Sequence, residues 1–231
     1  ERIMPCICKC QKEERERQEQ RMKEEEQLLY VRRLKATGIQ ERHLQDWTFA
    51  SATDTPSVQM AKRYAENWKK VKAENLGLLL WGDVGTGKSF LAACIANALL
   101  EKGVPVLMTN FSKILNQMGA MYSDERYRYI ASFNRFSLLI IDDLGIERSS
   151  EFALEQVFNV IDSRYRSKKP LIVTTNLTLD ELKHPKDLAR ARIYDRVLER
   201  CVPLKINNQN IRELNAAANM QEARKILNSG T

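Results

Sequence analysis

Eight residues, GDVGTGKS from Gly82 to Ser89, constrain this chain more than any other stretch. An apolar run, GLLLW from Gly77 to Trp81, leads into them, and a helical pattern, SFLAACIANALL from Ser89 to Leu100, leads out. Gly82, Gly87, Lys88 and Ser89 satisfy G-x-x-x-x-G-K-[ST] in the strand-to-helix setting that this pattern needs. The glycines let the backbone N–H groups of the loop, through Asp83, Val84, Gly85 and Thr86, wrap a polyphosphate, and the next helix turns its positive end toward it. Lys88 adds a charge at the β- and γ-phosphates, and the Ser89 hydroxyl can bind Mg²⁺. An accidental match in a glycine-rich turn would not explain the strand before it and the helix after it.

A second run, SLLIIDD from Ser137 to Asp143, reads as a buried strand ending in two acids. Asp142 is placed to hold the Mg²⁺ shell and Asp143 to orient and polarise water. A third, LIVTTN from Leu171 to Asn176, ends in a polar triplet. Parallel strands gather their chemistry at their C-terminal ends, so Asn176 is expected near the γ-phosphate. With strands also predicted at Val104–Thr109 and Val202–Ile206, strands alternate with helices throughout the region after Gly77. That alternation predicts a three-layer α/β sandwich around a five-stranded parallel sheet.

The 231 residues give room for one such domain with an appendage. A hydrophobic content of 43% and a charged content of 29% exclude disordered and fibrous classes. No apolar run approaches the roughly 20 residues of a transmembrane helix, and no signal-peptide pattern opens the chain, so no membrane association is expected. A net charge of +7 favours an anionic partner such as nucleic acid. Five cysteines, an odd count at low density, fit a reducing cytoplasm.

The opening residues, ERIMPCICKC, put Cys6, Cys8 and Cys10 at alternate positions; the spacing leaves a Zn²⁺ site and simple clustered thiols both open. From Gln11 to about Lys35 the chain predicts a charged, solvated helix stopped by Gly38. Trp47 and Phe49, in an irregular stretch, are expected to pack on the main domain. Ser57 is expected to cap a helix carrying Met60, Tyr64, Trp68 and Val71 on one face to about Asn75. Residues Phe111 to Phe133 read as two short helices around Ser123, containing Arg126, Tyr127, Arg128 and Tyr129. Such residues can grip phosphates and stack on unpaired bases, or belong to a solvated helix with its tyrosines turned inward. Ser149 or Ser150 caps a helix ending near Arg166, Thr178 and Glu181 form a capping box, and a last helix is expected from about Asn210 to Leu227. Cys94 and Cys201 read as core thiols.

Taken together, GLLLWGDVGTGKSFLAACIANALL, LLIIDDLGIE, the SRY of Ser163 to Tyr165, IVTTNL, and RIYDR followed by INNQNIR resemble the AAA+ helicase-loader ATPases of the DnaC and DnaI type, with IstB transposition ATPases as relatives. The resemblance implies an ATP-dependent, Mg²⁺-requiring loader that binds single-stranded DNA and delivers a replicative ring helicase. It implies self-assembly too, because Arg196 matches an arginine finger that completes a neighbouring subunit's site, with Arg192 as its rival. Asn176 resembles the sensor that positions the attacking water, and Arg212 a second sensor arginine. Asp143 stands where many AAA+ proteins carry a catalytic Glu. Residues 111–133 occupy the position of a DNA-contacting insertion. In many phage loaders a C-P-x-C arm precedes a C-x-C arm like PCICKC, so the resemblance makes Cys6, Cys8 and Cys10 half of a zinc-binding tip. Residues 1–37 would then form a helicase-interacting tip and linker helix, and 38–231 the AAA+ domain. An IstB-type transposition ATPase, or an ATP-binding switch with little hydrolysis, is the alternative reading.

Overall fold

The computed structural model describes residues 9–145, 150–207 and 220. Its long first helix, α1 (Lys9–Gly38), is exposed over most of its length and reaches the body only at its C-terminal end, where Leu34 packs on the core and Ile39 is fully buried. A short helix α2 (Arg42–Gln45) and a 3₁₀ turn at Phe49–Ser51 follow, then α3 (Pro56–Glu66) and α4 (Trp68–Ala73). The expected single helix is therefore two. Thr55, not Ser57, caps α3 by accepting from the Val58 N–H, with Pro56 in the first turn. The chain breaks at Asn67, whose amide side chain bonds back to the Arg63 carbonyl. The break keeps Tyr64, Trp68 and Val71 on the core while Met60 faces solvent.

Five strands form one parallel sheet: β1 (Gly77–Trp81), β2 (Val106–Asn110), β3 (Leu138–Leu144), β4 (Leu171–Thr175) and β5 (Cys201–Lys205), ordered β2-β3-β4-β1-β5. Because helices cover both faces, most residues of the inner strands β1, β3 and β4 are buried on either side and read as apolar runs, whereas the edge strand β5 is largely exposed. Leu78 and Leu80 face one core, with α5 (Lys88–Glu101), α3 and the end of α1. Leu79, Leu139 and Ile141 face the other, with α6 (Phe111–Met118), α7 (Ser123–Ser132), α8 (Glu151–Arg166) and, after the short α9 (Leu179–Lys183), α10 (Leu188–Arg200). Ser150 caps α8, and Thr178 with Glu181 forms the capping box of α9. The expected last helix falls almost wholly outside the described residues. Among those described, no helix is long and apolar enough to cross a membrane.

Helix α5 is apolar nearly all round because it is covered on its outer side as well. Its buried Asn97 donates to the carbonyls of Leu44 and Trp47 at 2.8 and 2.9 Å, fixing the irregular segment across the helix. Trp47 meets Phe90 with ring centroids 5.6 Å apart, next to Ser89 at the end of the phosphate-binding loop, or P-loop, of residues 82–89. Cys94 and Cys201 are buried core thiols, as expected. Burial pushes both up from 9.0 to about 12. Near neutrality both stay protonated in the folded chain, so neither is expected to react with iodoacetamide until the protein is unfolded; mass spectrometry of labelled peptides checks this. Above the unfolded thiol pKa, unfolding releases protons that the folded chain retains. These thiols therefore lower stability as pH rises from about 9 toward 12, which urea melts at stepped pH would measure.

Candidate nucleotide site

The C-terminal ends of β1, β3 and β4 lie side by side, and the loop 82–87 rises from the first of them into α5. Gly82, Gly85 and Gly87 take φ of 139°, 82° and 95°, values that other residues rarely adopt. At Gly82 a Cβ would also lie 2.6 Å from the Ile206 carbonyl oxygen, so only glycine fits where the loop passes the end of β5. The Lys88 side chain curls over this loop, 5% exposed, and its ammonium donates to the carbonyls of Gly82 and Asp83 at 2.9 and 2.7 Å. Thr86 steadies the loop by donating to the Asp83 carbonyl at 2.8 Å.

Across from Ser89 stands Asp142. Its carboxylate accepts from the Thr174 hydroxyl at 2.6 Å and is hydrogen-bonded by Ser89 as well. Burial raises its pKa above the usual carboxylate range; the charges of Asp143 and Glu41 add to the rise, and the two hydroxyl bonds oppose it. A partly buried carboxylate touching the P-loop serine, with further negative charge nearby, is a donor set suited to a hard divalent cation such as Mg²⁺. Asp143 follows in the left-handed region at φ 59°, and its N–H donates to Thr174 Oγ1 at 2.9 Å. Asn176 is exposed one residue beyond β4. Its turn is braced by Thr175, which donates to the Leu144 carbonyl at 2.7 Å and accepts from the Leu177 N–H at 3.1 Å.

Arg196 lies away from this cluster. Helix α10 packs with α8 on the sheet face opposite α5. There the Arg196 guanidinium donates from Nε to Asp162 Oδ1 at 2.7 Å and covers the rings of Phe158 and Tyr165 at 4.6 and 5.7 Å. Arg192, one turn earlier, is exposed. Arg212 lies outside the described residues. So do Cys6 and Cys8, while Cys10 is in the first turn of α1; among the described residues no group of three or more His, Cys, Asp or Glu is placed to hold a metal ion. The cysteines expected to hold Zn²⁺ thus lie at or beyond the edge of the described residues.

Helices α6 and α7 are the two short helices expected around Ser123. The alternating cations and aromatics divide between the two expectations. Tyr129 turns inward, 4.8 Å from the Phe133 ring, and Arg126 lies 5.2 Å over Phe152. Tyr127, 76% exposed, and Arg128 face solvent together with Tyr122.

Two residues of the site were not singled out by sequence reasoning. Thr174 was visible only as part of the polar triplet closing an apolar strand. Glu41, paired with Lys113 of α6 and 3.5 Å from His43 Nε2, comes from a segment with no local pattern, and its partner is far along the chain.

The model of a family described as IstB-like ATP binding protein matches residues 10–218. The uncharacterized protein YdaV of Escherichia coli K12 is 27% identical over 182 residues, which are 76% of this chain and 71% of YdaV. The replicative helicase loader DnaC of the same strain is 24% identical over 182 residues, covering 76% of this chain and 72% of DnaC. The crystal structure of DnaI superposes with a TM-score of 0.61 at 23% identity, covering 75% of this chain and 95% of that one. The replication initiator DnaA bound to AMPPCP and single-stranded DNA shares the fold at a TM-score of 0.57, with 18% identity over 71% of this chain and 50% of its own. P-loop, paired acids, strand order and the match across nearly the whole chain agree: this chain belongs to the IstB-like ATP-binding protein family and carries the AAA+ form of the P-loop fold.

Proposed function

We propose that this protein is an Mg²⁺-dependent ATPase that loads a replicative ring helicase onto single-stranded DNA. The observation that carries the catalytic part is the contact of Ser89 with Asp142 beneath a loop already bent for phosphate. Loop N–H groups and Lys88 would hold the β- and γ-phosphates, Lys88 exchanging its carbonyl partners for phosphate oxygens. Ser89 and Asp142 would hold the Mg²⁺, which when bound neutralises charge between those phosphates. Asp143 would orient the attacking water, Asn176 would fix its position near the γ-phosphate, and Arg212 would act as the second sensor.

The loader part rests on the relatives DnaC and DnaI, named as replicative helicase loaders. The chain's net charge of +7 and the outward-facing Tyr122, Tyr127 and Arg128 support binding of single-stranded DNA, since exposed aromatics beside cations stack bases and grip phosphate. Residues 1–37 are assigned to the helicase and 38–231 to the ATPase, with subunits assembling so that each site borrows an arginine. Pull-down of a hexameric ring helicase is expected with the full chain and is expected to fail after deletion of residues 1–37. Equal capture by both proteins would refute that assignment. The family description favours a second reading, an IstB-type ATPase acting on duplex DNA. A preference for duplex over single-stranded DNA in anisotropy titrations, with no helicase captured, would select it.

A further inference from the structure

In a regular strand Asp142 and Asp143 would project from opposite faces of the sheet. The end of β3 is not regular. Ile141 is opposite Val173 and Leu144 opposite Thr175, so β3 carries one residue more than β4 over this stretch, and Asp143 takes up the excess at φ 59°. A left-handed backbone at a residue other than glycine persists only where its surroundings hold it.

Thr174 supplies that hold. It is fully buried, and it is the residue of β4 that faces the bulge. Its hydroxyl has one proton, donated to Asp142 Oδ1 at 2.6 Å, and a lone pair that accepts the Asp143 N–H at 2.9 Å. One oxygen thus fixes the side chain of the first acid and the backbone of the second. The sheet ladder cannot do this, because the bulge removes its regular pairing here.

We propose that Thr174 is a positioning residue: it holds Asp142 in the orientation that meets Mg²⁺ and holds Asp143 so that both carboxyl groups serve one site. This rests on the ATPase reading above. Buried groups that orient metal ligands typically govern metal affinity or activity by about 10- to 100-fold. Thr174 acts through the two acids and is not itself placed at the phosphates.

The test compares Thr174→Val, Thr174→Ser and Thr174→Cys in the full chain. Mn²⁺ binding in the presence of a non-hydrolysable ATP analogue, followed by electron paramagnetic resonance, is the first readout. ATP binding in EDTA is the second, and turnover against Mg²⁺ concentration the third. T174V is expected to weaken Mn²⁺ binding about tenfold or more and to lower kcat, while metal-free ATP binding stays within about threefold of wild type. T174S, which keeps the hydroxyl, is expected to bind Mn²⁺ as wild type does. If T174V does not fold, T174C gives the same comparison, since its thiol donates only weakly. Wild-type Mn²⁺ affinity in T174V or T174C, or a T174S defect equal to theirs, would overturn the role of Thr174 alone. A wild-type chain that binds no metal–nucleotide would overturn the ATPase reading itself.

Discussion

Replacing Arg196 with alanine is expected to lower ATP turnover by about 10³-fold or more while ATP affinity changes by less than about threefold. The same protein, mixed with Lys88→Ala chains, is expected to regain a large part of its turnover. The reason is the placement of α10. Arg196 sits on the face of the sheet opposite α5, so its guanidinium cannot serve its own P-loop. If it serves any, it serves a neighbour's. A Lys88→Ala subunit lacks a working loop but keeps Arg196, and it can complete the intact loop of an Arg196→Ala subunit beside it.

Within one subunit Arg196 is held by Asp162, and that hold is shared. Asp162 also accepts from Arg166 Nε at 2.8 Å, so its carboxylate keeps a cation if Arg196 swings to a neighbouring site. The pair is partly exposed, at 25% and 14% for the two side chains, which makes its loss a modest cost. The proposed assembly on DNA would thus need only a small cost to draw the arginine out. Arg192 is the alternative, exposed and about 6 Å nearer the N-terminal end of α10. Complementation by Arg192→Ala in place of Arg196→Ala would transfer the role to it. Complementation by neither would refute a shared site. Steady-state turnover over a series of mixing ratios, with urea melts to confirm folding of each variant, measures all three outcomes.

Much of this arrangement could be read from the chain before its structure was known. The strands GLLLW and LLIIDD announce themselves because a parallel sheet buried on both faces needs continuous apolar runs. Ser150 and Thr178 mark helix starts because a short hydroxyl side chain satisfies N–H groups that the helix leaves free. The misplaced cap shows the limit of that rule: Thr55 and Ser57 are equally good in composition, and Pro56 between them favours the earlier one. Glu41 left no trace, since its ion pair to Lys113 spans 72 positions. Thr174 is a strand former by propensity, and only the bulge gives its hydroxyl a second use. The finger role proposed for Arg196 rests on resemblance, because a chain would carry the two halves of such a site on different faces. Arg164, in the SRY of Ser163 to Tyr165, was legible as well. Val157, Val160, Ile161 and Arg164 follow i, i+3, i+4, i+7, so the apolar stripe of α8 leads straight to a charged residue.

Arg164→Ala is expected to destabilise the fold by about 3–5 kcal/mol, with little effect on nucleotide affinity. The guanidinium is 1% exposed. It donates from Nε to the Pro170 carbonyl at 3.2 Å, from Nη1 to Phe136 at 3.0 Å, and from Nη2 to Ser137 and Pro170 at 2.9 and 2.7 Å. Phe136 and Ser137 precede β3, and Pro170 precedes β4, so one side chain ties the entry of two adjacent central strands to α8. Burial lowers its pKa to about 10, which still leaves it protonated near neutrality. Among the described residues no carboxylate pairs with it; the three carbonyls alone satisfy the charge. Removing the arginine leaves those oxygens short of donors inside the core, each at roughly 1–3 kcal/mol, partly offset at Pro170 by the Leu139 N–H at 3.4 Å. Arg164→Met separates packing from hydrogen bonding, because it fills similar space with no donor. It is expected to lose nearly as much as alanine, whereas Arg164→Lys, with a single ammonium, should retain about half. Urea denaturation at unchanged slope measures the loss. A methionine variant as stable as wild type would show that the carbonyls need no cation. Unaltered ATP binding in the folded variants would follow from position, since these bonds lie at the strand entries, a full strand length from the P-loop edge.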